Sequence, residues 1–241
     1  MIGGIEALVT SMQAQWQRHE VLANNLANST TVGFKRDDVV PTRRAPLLDP
    51  SGGDPSTGTT PPMLQWTDFS QGPIRETGRD LDVAIDGSGF FVVQTANGER
   101  YTRAGAFKIG ADGSLATVGG SPVLGDDGPI ILRASRVTIS PDGAISDGTR
   151  TVGTLKVVDF PRPYRLLKEG AGLFAAADAS AVPERARDYR IAGEALETSN
   201  VNPVETMVSM IEVLRKYEAA QRIIQAVEQA NQQSTNDIGK V

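Results

Sequence analysis

The sequence predicts a mainly β central domain flanked by N- and C-terminal α-helices that pair with each other as a coiled-coil-like inner domain. Three observations carry this reading. Near the start Ile5, Leu8, Met12, Leu22 and Leu26, with Gln15 and His19 at the two steps between Met12 and Leu22, and near the end Val213, Tyr217, Ala220, Ile224 and Val227, follow steps of three and four residues, the spacing that keeps side chains on one helical face. Between them short β-favouring runs alternate with six Asp-Gly or Asn-Gly pairs, from Asp86-Gly87 to Asp147-Gly148, which supply positive φ at hairpin turns. A stretch rich in Pro, Gly, Ser and Thr separates the first helix from the β zone, as expected of an extended linker.

The first helix is expected over Ile5 to about Asn28. Gln15 and His19 interrupt its apolar stripe, and an isolated amphipathic helix of this kind is marginal in water, so it requires a partner. The linker follows over 36–62, and the β-rich domain over 63–194, with candidate strands at Leu81 to Ile85, Phe90 to Gln94, Tyr101 to Arg103, Ala106 to Ile109, Val137 to Ser140 and Thr154 to Phe160. From about Ala195 to Asn236 there is no glycine and only one proline, Pro203, which reads as a long closing helix. Asn202 before Pro203 is a cap and first-turn signal, and Glu205 places a negative charge where the helix dipole favours it. The helical domain is thus expected to combine 1–35 with 195–241.

Composition narrows function. The chain has 241 residues, 24 Lys plus Arg against 29 Asp plus Glu, no cysteine and one histidine. A mild acidic balance gives no electrostatic case for nucleic acid. Without cysteine there are no disulfides, thiolate nucleophiles, zinc fingers or iron–sulfur clusters. No run approaches the ~20 apolar residues of a membrane-spanning helix, so no membrane insertion is expected. The N-terminus lacks a basic start, a continuous apolar segment and a small-residue cleavage site, and any export is expected to proceed without a cleaved signal peptide. The Asp-Gly pairs do not have EF-hand spacing, Gly87-Ser88-Gly89 leads into another strand-like run rather than a helix, and His19 has no second histidine or Ser–Asp constellation to work with. No catalytic residue, metal site or cofactor is assigned.

Two segments ask for more than local structure. Ala23 to Lys35 reads ANNLANSTTVGFK, with Asn24, Asn25 and Asn28 at a helix end; asparagine is a poor helix-interior residue, so these amides either cap local backbone or reach a neighbouring chain. Leu196 to Pro203, LETSNVNP, is a second amide-rich helix entry. The economical arrangement pairs the terminal helices and leaves the remaining apolar surface to another copy. The candidate assembly interface comprises Ile5, Leu8, Met12, Leu22 and Leu26 on the first helix, then Asn24, Asn25, Asn28, Gly33 and Phe34. Toward the C-terminus it comprises Leu196, Ser199, Asn200 and Asn202, then Met207, Met210, Ile211, Val213, Tyr217, Ile224 and Val227.

ANNLANSTTVGFK at Ala23 to Lys35 and LETSNVNPVETMVSMIEVLRKYE at Leu196 to Glu218 resemble the N- and C-terminal signatures of the bacterial flagellar axial proteins, the family of rod, hook and hook-associated proteins. GRDLDVAIDGSGFFVV at Gly78 to Val93 and RYTRAGAFKIGADGSL at Arg100 to Leu115 are similar to the β domain shared by its rod and hook members. SPVLGDDGPIIL at Ser121 to Leu132 and the short length are most similar to the proximal rod branch, and next to the distal rod branch. The resemblance implies a non-enzymatic subunit of the basal-body rod that polymerises helically into the periplasmic drive shaft. It also implies partners: copies of itself, other rod proteins and the flagellar type III export apparatus. Contacts that do not close into a ring generate a filament. A secreted β-rich carbohydrate-binding module or enzyme is the alternative from another class; it requires convergent acid and base groups in a concave site, which the sequence does not place.

Overall fold

The computed structural model describes residues 2–41, 63–133, 137–148, 150–178 and 180–238. Two compact units emerge: one is Met1–Ala27, Asp37–Asp68 and Asn202–Val241, the other Asn28–Arg36 and Phe69–Val201.

The first unit is helical with one hairpin. Helix α1 spans Ile2–Ala27 and helix α2 spans Pro203–Ile238, and the two pack together, with Val213 only 2% exposed and the Trp16 and Tyr217 ring centroids 6.2 Å apart. The cap at Asn202 forms as expected: its Oδ1 accepts the Val204 and Glu205 amides at 3.1 and 3.3 Å. The interruptions in the α1 stripe remain visible, since His19 is half-buried and stacks on Trp16, while Gln15 Oε1 is buried without a hydrogen-bond partner.

The expected linker does not begin as a linker. Asp37–Pro41 is a strand paired antiparallel with Met63–Thr67, in the register Asp37↔Thr67 and Val39↔Gln65. The physical reason is alternation: Asp37 and Val39 turn inward while Val40 turns outward, the period-2 pattern of a half-buried strand, and Thr67 Oγ1 donates to Asp37 Oδ1 at 2.6 Å. Residues 42–62 lie outside the described residues.

The second unit is the β domain. Its largest sheet has six antiparallel strands in the order Leu166–Gly170, Leu173–Ala176, Gly98–Thr102, Phe90–Thr95, Val157–Asp159, Glu184–Arg185. The hairpin at its centre explains the continuous apolar run Phe90 to Val93, because both faces are covered. Phe91 and Val93 join Val83, Ile85, Phe107 and Leu115 in one core. Phe90 and Val92 join Tyr101, Phe160 and Phe174 in the other, where Phe90 lies edge-on to Phe160 and Phe174 at 6.1 and 5.8 Å. Every glycine of the six Asp-Gly and Asn-Gly pairs has positive φ, from 72° at Gly148 to 116° at Gly128, so these pairs turn the chain as the sequence predicts.

The closing helix starts later than the composition predicts. Ala195–Glu197 is a strand paired with Ile74–Glu76, Glu197 opposite Ile74, and it follows the strand Tyr189–Gly193 after a single left-handed residue, Glu194 with φ 55°. Absence of glycine permits a helix but does not impose one; here the extended backbone carries Glu197 into the interior.

Candidate assembly site

Within the β domain the end of the N-terminal signature and the start of the C-terminal one lie side by side. The Gly33 amide donates to Glu197 O at 2.8 Å and the Asn200 amide to Phe34 O at 3.4 Å. Asn200 Oδ1 accepts the Arg36 amide at 2.7 Å, and its Nδ2 donates to Ser70 O at 3.2 Å. Ser199 is buried and its Oγ accepts the Val201 amide at 3.2 Å. Glycine makes the closeness possible: Gly33 has φ +66°, and a Cβ there would sit 2.4 Å from Ala104 N. Gly72 is equally confined, 2.1 Å from Thr198 O by the same construction.

At the centre of this junction is a charged cluster that the sequence alone does not single out. Lys35, Glu197 and Arg103 are 1%, 0% and 3% exposed. Lys35 Nζ donates to Glu197 Oε1 at 2.5 Å and to Ser70 O at 2.7 Å. Arg103 Nη1 donates to Glu197 Oε2 at 3.2 Å, and Nη2 to Gly87 O at 2.8 Å. The Gly72 amide completes the set, donating to Glu197 Oε1 at 2.8 Å. Lys168 donates to Lys35 O and places its ammonium 4.2 Å from the centroid of the half-buried Phe34 ring, a cation–π geometry. A signal existed: Lys35 and Glu197 stand inside the two signature segments and Arg103 inside the β-domain one. From sequence alone a charged residue reads as solvated, and only the tertiary fold supplies the opposite charge.

The asparagines resolve differently from one another. Asn25 is 1% exposed and clasps one residue, its Nδ2 donating to Asp37 O at 2.7 Å and its Oδ1 accepting the Asp37 amide at 2.9 Å. Both amide ends are therefore used inside the subunit. Asn28 Oδ1 accepts Thr31 Oγ1 at 3.2 Å, and Asn24 is exposed.

The helical unit sorts the remaining interface candidates onto two faces. Leu8, Met12, Leu22 and Leu26 on α1, and Met210, Tyr217, Ile224 and Val227 on α2, are half-buried, while Val213 is fully buried. The Ile5 side chain lies outside the described residues. Leu196 is half-buried in the β domain, and Asn202 is exposed at its cap position. Met207 and Ile211 instead stand exposed, at 50% and 52%, in a row with Val204, Val208 and Leu214. Val204 and Val213 differ by nine positions, about two and a half helical turns, so this row occupies the side of α2 opposite the α1 contact. Spacing alone does not separate the two faces, because a helix that is apolar on both sides shows no clean amphipathic period. A groove of about 700 Å³ between the helices is lined by Val9, Met12, Trp16, Tyr217 and Ile224, with Gln13, Gln17 and Glu20.

The three matching family models fall on the three regions just described. The flagella basal body rod protein family matches 5–35, the flagellar hook protein FlgE/F/G D1 domain matches 84–147, and the flagellar basal body rod FlgEFG protein C-terminal family matches 192–238. The chain is 36% identical to the flagellar basal-body rod protein FlgF of Caulobacter vibrioides over 92% of both chains. It is 37% identical to FlgF of Salmonella typhimurium over 92% of this chain and 94% of the relative. With the flagellar basal-body rod protein FlgG of Agrobacterium fabrum it shares 33% identity over 89% and 91%. The chain belongs to the flagellar basal-body rod protein family: it is a structural rod subunit, proximal or distal, and not an enzyme. The alternative of a carbohydrate-binding module or enzyme finds no support in these matches.

Proposed function

We propose that this chain is a proximal-rod subunit whose α1 and α2 form a coiled-coil-like inner domain and whose copies meet through the outer row of α2. The observation that carries the reading is that row: Val204, Met207, Val208, Ile211 and Leu214 are all more than 40% exposed on one side of a helix whose other side is already covered. Burying the exposed half of each such side chain stabilises by roughly 1 kcal/mol, and a contact of this kind repeated without closure builds a filament. The half-buried seam residues and the groove lie on the opposite side of α2 and join it to α1, so that the outer row is presented to neighbouring rod proteins. Delivery by the flagellar type III export apparatus into the periplasm, without cleavage of a signal peptide, accompanies this role. The proximal position draws on the two FlgF relatives; the distal position draws on the FlgG relative.

The test substitutes Val208→Asp and Ile211→Asp together in the full chain. Helical content by circular dichroism is expected to be unchanged, while motility and the recovery of complete rods are lost. Complete rods built from the double variant would overturn the α2 contact. A label on the chain, imaged in purified basal bodies, is expected in the proximal segment, and a distal label would assign the distal position instead.

A further inference from the structure

The carboxylate of Glu197 accepts from three separate segments of the β domain at once: Lys35 Nζ, the Gly72 amide and Arg103 Nη1. The cluster itself holds two cations, Lys35 and Arg103, and the one anion that joins them, all three almost wholly buried. We propose that Glu197 acts as a latch that orders the docking of the two signature segments within the β domain, with 195–201 seating before 28–36 can hold. The inference concerns the folded chain itself and does not rest on its position in the rod.

The order follows from what each segment leaves behind. Without 28–36, Glu197 still faces Arg103 and the Gly72 amide, a balanced ion pair with a further donor, and its strand still pairs with Ile74–Glu76. Without 195–201, Lys35 and Arg103 lose the carboxylate they share and stand as like charges in a dry interior. The Gly33 and Asn200 backbone bonds across the junction are lost whichever segment leaves, so the order rests on the charges. A buried ion pair contributes little over an apolar equivalent, but removing one partner is severe because the remaining charge is stranded. Glu197 is a positioning residue in this sense: the N-terminal segment depends on it far more than it depends on the N-terminal segment.

The test is native-state hydrogen exchange on the full chain, read on peptides covering 28–36, 195–201 and, as an internal reference, Phe90 to Val93. Glu197→Gln keeps the shape and an acceptor oxygen while deleting the charge, and is expected to lower protection of 28–36 by about 100-fold or more. Lys35→Met leaves the Arg103–Glu197 pair intact, and protection of 195–201 is expected to change less than about tenfold. The combination is the discriminating variant: Lys35→Met placed on Glu197→Gln removes one of two stranded cations and should raise protection of 28–36 above that of Glu197→Gln alone. An additive loss in the double variant would overturn the latch. So would a Lys35→Met chain in which 195–201 loses about 100-fold or more of its protection relative to the parent, an outcome that needs no Glu197→Gln measurement.

Discussion

Replacing Gly33 by alanine tests whether close backbone approach, rather than sequence signature, is what requires glycine there. Two penalties combine. A non-glycine residue in the left-handed region costs about 1–2 kcal/mol, and the new Cβ would meet Ala104 N at 2.4 Å, Arg103 C at 2.5 Å and Ala104 Cα at 2.8 Å. All three are backbone atoms, so no side chain can swing aside, and relief requires parting two segments at overpacking costs of about 1–3 kcal/mol. Lower chain entropy in the unfolded state returns about 0.4–1 kcal/mol, leaving a net loss of roughly 1–4 kcal/mol. Gly78 provides the control, since its φ is +69° and nothing lies within 4 Å of its added Cβ. Gly78→Ala carries the same conformational penalty without the collision. The assay is the free energy of opening from hydrogen exchange, read in parent and variants at the backbone amide of position 33, which the parent bonds to Glu197 O, and at Phe91 to Val93. Gly33→Ala is expected to exceed Gly78→Ala by about 1–3 kcal/mol, with the amide at position 33 losing more protection than the core. Equal effects of the two substitutions would refute the argument and reduce Gly33 to an ordinary turn glycine.

Two further outcomes are expected. Asn25→Ala removes both bonds of the clasp on Asp37, at about 1–3 kcal/mol each; urea unfolding followed by Trp16 and Trp66 fluorescence should show the loss, because both tryptophans belong to the helical unit. Asn25→Asp should lose at least as much, since a carboxylate still accepts the Asp37 amide but turns its second oxygen on Asp37 O with no proton between them and buries a charge; recovery in Asn25→Asp would count against the two-ended clasp. Asp112 is held below its ordinary 3.8 by hydrogen bonds from the Ser114 hydroxyl and amide. Its contribution to stability is therefore present above pH 3.8 and lost as pH falls through the depressed value. Ser114→Ala is expected to move the Asp112 titration upward by NMR, and an unmoved midpoint would show that the hydroxyl contributes nothing.

Local physics was legible in the sequence wherever one residue or one period decides the outcome. Asn202-Pro203 fixes the start of α2 because a side-chain acceptor and a preset φ act within one turn. The Asp-Gly and Asn-Gly pairs turn the chain because glycine alone takes positive φ without strain. The unbroken FFVV run announces a buried strand, and the terminal stripes announce helices that need partners. What only the tertiary structure decided are the pairings over long separation. Asp37–Pro41 is a strand because Met63–Thr67 completes its ladder and Asn25 clasps its first residue. Ala195–Glu197 is a strand because Ile74–Glu76 lies beside it and Glu197 meets Lys35, 162 positions away. Which apolar row of α2 faces α1 is likewise settled by packing. A charge, an amide or a valine carries its own preference in the sequence, but the partner that satisfies it is brought there only when the chain folds.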